Sequence, residues 1–572
     1  MSGSDLGLLV RTAAHLQPSQ VGHRIRLRTQ AAALRRWPNA GRRLLGGPDP
    51  ATAVGWPPGF APLDAQAPER WPRLADLSAG RLVLLGMPRE LGDPPDWRQT
   101  GAPALWRHHL HYWDWAWGLA ADPDPVSARA AFARLWRSWR TATIFGGSDA
   151  WLPYPAAARA WSWCGLHDGL VAGSDIETGF VTELAAHVGF LRRHLESDVG
   201  GNHLLKGIKA LVGLAVFFSD RRLLTQALGQ LTSQLAVQVL PDGGHYERAP
   251  AYHCQVLADL ADIADLLRAA RHEAMPALTA AIARMRRWLG VVLAPAGQVP
   301  MLNDGYPVEP AMLALLEPQP TPFAPLQALP DTGLVAATAG SWHLLADVGP
   351  PCPDELPAHA HADTLACLVH VDGAPLLVDT GTSTYAPGAV RDYERSTAAH
   401  NTVEVDGASS TEVWGAFRAA TRARVHNVTA HADADGITLA ATHDGFRRLR
   451  GSPVHHRRWL LTRTGLRVED VVSGRGLHTV AVRWHLAPAS AVRLIDATAL
   501  VTAPAGMFEV TVDSTAQAAL AVESQPVAIG FGRTTPAPML ACLMNTALPV
   551  RLTTWWRRAS RSSSTSGRGL PA

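Results

Sequence analysis

The hydrophobic pattern of this chain changes its period once, at a proline-rich segment that covers residues 317–325. From about residue 102 to this segment, apolar side chains recur about every 3.6 residues, as amphipathic helices require. After about residue 334, short runs with a period of two are separated by Gly, Asp, Pro or Ser, which predicts antiparallel strands. Proline interrupts both kinds of element. The pattern therefore predicts a helical domain followed by an antiparallel β-sandwich.

The chain has 572 residues, which is too long for a single hydrophobic core. We expect an N-terminal extension with helical segments over residues 1–100, the helical domain over 101–325, the sandwich over 326–556 and a disordered tail over 557–572. Further predicted helices cover residues 127–140, 155–171, 176–195 and 277–292. The predicted strands include residues 341–347, 457–462, 466–471, 478–486 and 507–512.

Composition excludes some partners and leaves others open. A net charge of +3 is too small to indicate nucleic-acid binding. No window of about 18 consecutive apolar residues predicts a transmembrane segment. The N-terminus shows no secretory signal, so we expect a cytoplasmic protein, with the periplasm or cell envelope as the alternative. Five scattered cysteines predict no disulfide framework. The composition leaves the oligomeric state open, and a homodimer is one possible state.

Histidine and aspartate recur at the ends of short β-like runs after residue 356. His359 and His361 are two residues apart, so on an extended chain both rings face the same side. Residues 367–371 and 375–379 are apolar runs joined by Asp372-Gly373, a hairpin signal that brings His361 and Asp379 together. His400 begins the next predicted strand. His361, Asp379 and His400 suit zinc, whereas His359 is left free for other chemistry. With 24 His in the chain, ordinary surface or core histidines are the competing interpretation.

Taken together with two upstream segments, these residues resemble the heparinase II/III-like polysaccharide lyases. Residues 200–212, with Asn202-His203, resemble the Asn-His helix of that family. Residues 240–253, Leu-Pro-Asp-Gly-Gly-His-Tyr-Glu-Arg-Ala-Pro-Ala-Tyr-His, resemble its segment around Tyr252, with Ala249 where Ser is expected. Residues 105–114 and 153–155 resemble the aromatic-rich region of bacterial members whose N-terminal helical domain is alginate-lyase-like. The motifs run in family order from about residue 105 to 407.

The resemblance implies a fold and a reaction. It implies an incomplete (α/α) toroid followed by the antiparallel β-sandwich, and one zinc per chain with a mainly structural role. It implies β-elimination on an acidic, uronic-acid-containing polysaccharide, in keeping with a role in bacterial exopolysaccharide metabolism.

Elimination requires a group that stabilises the enolate-like intermediate and groups that move protons. We expect Asn202 in the first role, with helix N-capping as its structural alternative. Tyr252 is the candidate base, acid or both, although a core tyrosine is the alternative, and His359 is the complementary acid or base. His203 and Glu247 are further candidates for positioning or charge neutralisation. The predicted sugar platforms are Trp106, Trp113, Tyr154 and Trp161, although most Trp residues belong to cores.

Two other functions remain compatible with the residues. The His361, Asp379 and His400 cluster could activate water in a zinc-dependent glycan hydrolase. The protein could also be a non-catalytic glycan-binding protein of polysaccharide assembly.

Overall fold

A computed structural model describes residues 3–295, 297–320 and 324–559. The N-terminal extension contains four helices and one hairpin: α1 (Gly3–Ala13), α2 (Pro18–Arg36), α3 (Pro38–Leu45), α4 (Leu74–Ser78), β1 (Arg81–Leu84) and β2 (Met87–Glu90). In the described part of the chain, no helix combines the length and apolarity that crossing a membrane requires.

The helical domain follows with ten helices: α5 (Ala104–Leu110), α6 (Trp117–Ala120), α7 (Pro125–Ala142), α8 (Pro153–Leu166), α9 (Glu177–His194), α10 (Gly201–Phe217), α11 (Arg221–Gln238), α12 (Pro250–Ala269), α13 (Pro276–Val292) and α14 (Pro310–Leu315). Proline at the first turn starts five of these helices, where its missing N–H costs nothing. The predicted helices are confirmed as α7, α8, α9 and α13.

The β-domain contains 19 strands and one helix. They are β3 (Leu326–Leu329), β4 (Leu334–Ala339), β5 (Trp342–Asp347), β6 (Cys367–Val371), β7 (Ala374–Leu377), α15 (Ala389–Arg395), β8 (Val403–Val405), β9 (Val413–Trp414), β10 (Arg418–Ala419), β11 (Val425–Ala432), β12 (Ile437–His443), β13 (Val454–Thr462), β14 (Gly465–Ser473), β15 (Leu477–His485), β16 (Ala491–Ile495), β17 (Thr498–Ala503), β18 (Gly506–Ser514), β19 (Ala519–Gly530), β20 (Arg533–Ala547) and β21 (Val550–Arg558). The predicted strands are confirmed. The predicted tail is wrong in its first residues, because β21 ends only at Arg558, and its remainder from residue 560 lies outside the described residues.

Three large antiparallel sheets and the two-stranded β9–β10 sheet form this domain. The large sheets have the strand orders β3-β4-β5-β6-β7, β11-β12-β13-β14-β21-β18-β17-β16 and β19-β20-β15-β8. The first sheet lies between two cores because its side chains alternate. Leu334 and Ala336 on β4 pack with the helical domain, whereas Val335 and Ala337 pack with the sandwich core. The helical region and the antiparallel β-domain are therefore joined through a shared sheet, and the cleft described next lies where they meet.

Candidate active site

A cleft of about 1720 Å³ runs between the helical domain, the β-domain and the N-terminal extension. The structure brings seven of the nine predicted catalytic and substrate-binding residues to its wall: Asn202, His203, Glu247, Tyr252, His359, Tyr154 and Trp161. They come from α8, α10, α12 and the loops before β6 and α12. Clefts between domains are common binding sites, so this arrangement identifies the candidate active site.

Asn202 and Glu247 form one buried pair at the start of α10. The Asn202 backbone N–H donates to Glu247 Oε1 at 2.8 Å, and its side-chain Nδ2 lies 3.4 Å from Glu247 Oε2. The N-cap of α10 is Gly200, two residues before Asn202, so the capping interpretation of Asn202 is wrong. Asn202 Oδ1 is buried without a hydrogen-bond partner among the described residues, which leaves this oxygen free to accept a hydrogen bond from a ligand.

Gly201 permits this close contact. Its φ is +55°, and a Cβ at this position would lie 1.8 Å from Glu247 Oε1. Only glycine therefore lets the Glu247 carboxylate reach the Asn202 N–H in the first turn of α10.

Gly201→Ala should consequently lower the free energy of unfolding by at least about 2 kcal/mol, through backbone strain and displacement of Glu247. Thermal unfolding measures this effect. Gly229→Ala, in open space on α11, is the matched control and should raise stability by up to about 1 kcal/mol. Equal stability of the Gly201→Ala and wild-type proteins would contradict the described contact.

Tyr252 lies at the first turn of α12, against the β-domain side of the cleft. Its ring stacks on the His359 ring with centroids 3.8 Å apart, and its hydroxyl is 2.7 Å from the Tyr385 hydroxyl. Burial raises the pKa of Tyr252 well above its ordinary value, and the neighbouring Tyr385 and Tyr306 hydroxyls raise it further. Tyr252 is therefore protonated in the resting protein.

His359 lies between two carboxylates. Its Nδ1 is 2.9 Å from Asp304 Oδ2, and its Nε2 is 3.3 Å from Glu247 Oε2. His361 also contacts Asp304, through Nε2 at 2.9 Å, so the two imidazoles do face the same side. The prediction from their spacing is confirmed.

Asp304 is a fully buried carboxylate that joins the two domains. It lies between α13 and α14, and it accepts hydrogen bonds from Arg391 of α15, at 2.9 Å for Nη2. Burial alone would raise the pKa of Asp304, but Arg391 and the two imidazoles outweigh burial and hold that pKa well below its usual value. The ionised Asp304 carboxylate accepts a hydrogen bond from His359 Nδ1, so Nδ1 carries a proton. The other ring nitrogen, Nε2, faces Glu247.

His203 lies at the edge of the cleft, beside Glu196. Its Nδ1 is 3.1 Å from Glu196 Oε2, and its ring contacts Tyr154 at 4.7 Å between centroids. Burial acts to lower the pKa of His203, but the Glu196 carboxylate outweighs burial and raises it. The raised pKa favours the protonated form of His203, which is suited to positioning an acidic group.

Two of the four predicted sugar platforms are wrong. Trp106 and Trp113 are fully buried in the helical core, where Trp106 Nε1 donates to the Met87 carbonyl and Trp113 packs on Trp97. Trp161 reaches the cleft wall, but it is only 4% exposed. The Lys209 ammonium lies over its ring, 4.3 Å from the ring centroid. Tyr154 therefore remains a candidate sugar platform, and its ring contacts the His203 ring.

Sequence reasoning missed Asp304, Tyr306, Tyr385 and Arg391. Asp304 had one signal, the turn-forming run Asn303-Asp304-Gly305 shortly before the proline-rich segment, with Asn303 at φ +54°. The positions of Tyr385 and Arg391 depend on a loop that folds back over the cleft after β7, and the sequence carries no local signal for that path.

The three predicted zinc ligands lie in one buried cluster beneath the cleft. The His361 and His400 rings are 5.3 Å apart, and His400 Nδ1 is 2.7 Å from Asp379 Oδ2. The hairpin that delivers Asp379 is confirmed as β6 and β7, joined by Asp372-Gly373 with both φ angles positive.

The donor types of this cluster fit zinc, although the side chains bond to one another. His361 Nδ1, His400 Nε2 and both oxygens of the neighbouring Asp363 are buried without partners within the described ranges. Such atoms cost free energy unless a ligand satisfies them. As the side chains stand, no group of three or more His, Cys, Asp or Glu residues among those described is arranged to hold a metal ion. Zinc at this cluster therefore stays a prediction.

Metal analysis of the purified protein should find about one zinc per chain. His361→Ala and Asp379→Ala should each lower metal content and melting temperature together. His455→Ala is the matched control, because His455 is an equally buried histidine that pairs with Asp470 elsewhere in the β-domain. This control should lower the melting temperature and leave the metal content unchanged. Normal metal content in both cluster variants would remove these residues from the site.

Comparison with known proteins identifies the fold family. The family model described as "Heparinase II/III N-terminus" matches residues 171–323, and "Heparinase II/III-like, C-terminal" matches residues 321–547. FtsZ-localized protein C of Caulobacter vibrioides is 30% identical over 441 residues, which cover 72% of this chain and 74% of that protein. The chain belongs to the heparinase II/III-like family.

Solved structures of this family share the architecture at low sequence identity. The crystal structure of heparinase III aligns over 88% of this chain and 86% of its own length, with a TM-score of 0.71 and 15% identity. Heparan sulfate lyase HepC from Pedobacter heparinus aligns over 93% of this chain and 89% of its own, with a TM-score of 0.58 and 17% identity. The predicted fold, a helical toroid followed by an antiparallel β-sandwich, is confirmed.

Proposed function

We propose that this protein is a polysaccharide lyase that cleaves a uronic-acid-containing polysaccharide by β-elimination. The observation that carries the proposal is the meeting of Tyr252, His359 and the Asn202–Glu247 pair in one cleft between two domains. The heparinase III and HepC structures support the fold on which such a site is built.

Elimination begins with the proton α to the uronate carboxylate. Its removal places negative charge beside an existing carboxylate, and a positioned hydrogen-bond donor must stabilise that charge. The Asn202 Nδ2, whose contact with Glu247 Oε2 is long at 3.4 Å, is the neutral donor at the buried end of the cleft, and His203 at its edge, whose pKa is raised, is suited to the substrate's acidic groups. These two residues bind and polarise the uronate in the proposal.

Two groups then share the proton transfers. Tyr252 is protonated at rest, which suits it to donate its proton to the 4-linked oxygen as the bond from carbon 4 to that oxygen breaks. The complementary group is His359, whose Nε2 faces the cleft and receives the α-proton. The electrons of the broken carbon–hydrogen bond form the new double bond between carbons 4 and 5. The reaction consumes no water.

A zinc held by His361, Asp379 and His400 would hold together the segments on either side of His359. These three side chains are at most 2% exposed and lie outside the cleft wall. This placement counts against the hydrolase alternative, because a metal-activated water there could not reach a glycan in the cleft. No step of the proposed reaction passes through the metal.

The test is incubation with a panel of uronate polymers: heparan sulfate, chondroitin sulfate, alginate and an acidic bacterial exopolysaccharide. Elimination leaves an unsaturated sugar that absorbs in the ultraviolet, so absorbance should rise with at least one polymer. A cytoplasmic location and a role in exopolysaccharide metabolism belong to the same proposal, and genes for glycosyltransferases and polymer export beside this gene would support them. No rise in absorbance with any polymer would contradict the proposed function.

A second candidate is a non-catalytic glycan-binding protein. The similar Caulobacter protein is named for its localisation with FtsZ and not for an activity, which favours this alternative. Ala249, which stands where Ser is expected in the segment around Tyr252, also favours this alternative. Under this alternative Tyr252→Phe would leave glycan binding unchanged and no turnover would be measurable in the wild-type protein.

A further inference from the structure

The N-terminal extension contacts the β-domain at two separate places around the cleft. The first contact is made by α1 and α2. Arg11 forms a two-pronged ion pair with Glu412, with nitrogen–oxygen distances of 3.1 and 3.0 Å, and Trp414 Nε1 donates to Thr12 Oγ1 at 3.0 Å. The buried Gln20 amide donates to the carbonyls of both Asp198 and Glu355, at 3.4 and 3.2 Å. Gln20 therefore connects the helical domain and the β-domain.

The second contact is made by two hairpin tips. The β1–β2 hairpin turns at Leu85-Gly86, and it meets the tip of the β19–β20 hairpin. A Cβ on Gly86 would lie 3.2 Å from Arg533 Nε, and a Cβ on Gly532 would lie 3.3 Å from the Met87 side chain. The two tips are therefore in van der Waals contact, with no space between them for a sugar ring.

Both contacts lie at the wall of the cleft that holds the candidate catalytic residues. Asp198 and Glu355, bound by Gln20, are close in sequence to His203 and His359. Phe531, at the second contact, packs on Tyr306 and Tyr385 with centroids 5.3 and 5.2 Å apart, and these two tyrosines pack on Tyr252. The extension also supplies cleft-wall residues at each place: Thr12, Leu16, Gln20 and Arg24 at the first, and Leu82, Leu84, Pro88 and Arg89 at the second.

Each contact carries an arginine that forms no ion pair within the described ranges. Arg418 stacks on Trp414 at 4.6 Å beside the first contact, and Arg89 lies on β2 at the second. Both side chains line the cleft. The other arginines of the cleft wall, such as Arg24 and Arg70, are paired with carboxylates. The cleft wall therefore offers positive charge to an acidic ligand at both contacts.

An enzyme that cuts within a long polymer needs a groove that is open in both directions along the bound chain. Here the extension bridges to the β-domain at two separate places along the cleft that holds the candidate catalytic residues. We infer that the N-terminal extension makes this protein act on chain ends and short acidic oligosaccharides, with its two bridges setting the length of glycan that the cleft accepts. This inference rests on the proposed lyase function.

The test is a time course of product size, measured by size-exclusion chromatography with ultraviolet detection on the polymer that is cleaved best. The wild-type protein should release one small size class from the earliest times, while the remaining polymer keeps nearly its full length. Arg11→Glu, which opposes Glu412 with a like charge at an exposed site, should add a spread of longer products. The matched variant, Arg11→Glu combined with Glu412→Arg, should restore the single small product.

Three outcomes would count against the inference, and they can be told apart. An early mixture of long fragments from the wild-type protein would show cleavage within the chain and would overturn the inference alone. Absence of ultraviolet-absorbing product from every polymer and from a uronate tetrasaccharide would overturn the proposed function, and this inference with it. A folded Arg11→Glu protein with the wild-type product pattern would show that the first bridge does not set product size.

Discussion

Tyr252→Phe should lower the turnover of polymer cleavage by at least about a hundredfold, the usual scale for a group that donates or accepts the transferred proton. The substitution removes one hydroxyl and keeps the ring that stacks on His359. It also removes the 2.7 Å contact with Tyr385, so a stability loss of about 1 kcal/mol is expected as well. Initial rates from ultraviolet absorbance, together with thermal unfolding, measure both effects.

Tyr393→Phe is the matched control for this change. Tyr393 lies on α15 outside the cleft, and its buried hydroxyl has no partner among the described residues. The same substitution there should leave turnover near the wild-type value. His359→Gln tests the complementary group, since an amide can still bond to Asp304 but cannot exchange protons, and its turnover should fall on the same scale. Turnover like that of the wild type in Tyr252→Phe would remove Tyr252 from the mechanism.

Asn202→Ala should also lower turnover by about a hundredfold or more, because it deletes the donor that stabilises the developing charge. The loss of stability should be near 1 kcal/mol, since the side chain makes one long contact with Glu247 at 3.4 Å. The comparison of kcat with melting temperature separates the two effects. Asn202→Asp should be nearly inactive too, but it should also be unstable because it would bury a second carboxylate beside Glu247.

Asp220→Ala is the control for helix capping. The Asp220 side chain accepts from the Leu223 N–H and caps α11, so its loss should cost about 1 kcal/mol of stability and no activity. An Asn202→Ala protein that behaves like Asp220→Ala, with normal turnover, would make Asn202 a structural residue and leave the lyase mechanism without its charge-stabilising group.

Local rules predicted the parts of this protein that depend on neighbouring residues. The Asp372-Gly373 turn fixed a hairpin because both residues accept positive φ, and that hairpin delivers Asp379 to His400. The two-residue spacing of His359 and His361 placed both rings against one carboxylate. The change of period separates the helices, which end with α14 at Leu315, from the strands, which begin with β3 at Leu326.

The remainder of the site depends on contacts between distant segments. Asp304 and Arg391 are 87 residues apart. Their ion pair forms only because the loop between α13 and α14 contacts the β-domain, so the sequence alone did not predict it. The high tryptophan content also led to a wrong prediction, that Trp106 and Trp113 bind sugar. Burial of a large apolar ring stabilises a helical core as well as a sugar site, and Trp106 and Trp113 serve the core.

The central claim, that this cleft performs elimination, is tested most directly by cleavage in water enriched in oxygen-18, with mass spectrometry of the products. Elimination uses no water, so the products should carry no solvent oxygen and each new non-reducing end should be lighter by one water molecule than its hydrolytic counterpart. Incorporation of one solvent oxygen for each bond cleaved would show hydrolysis and would contradict the account.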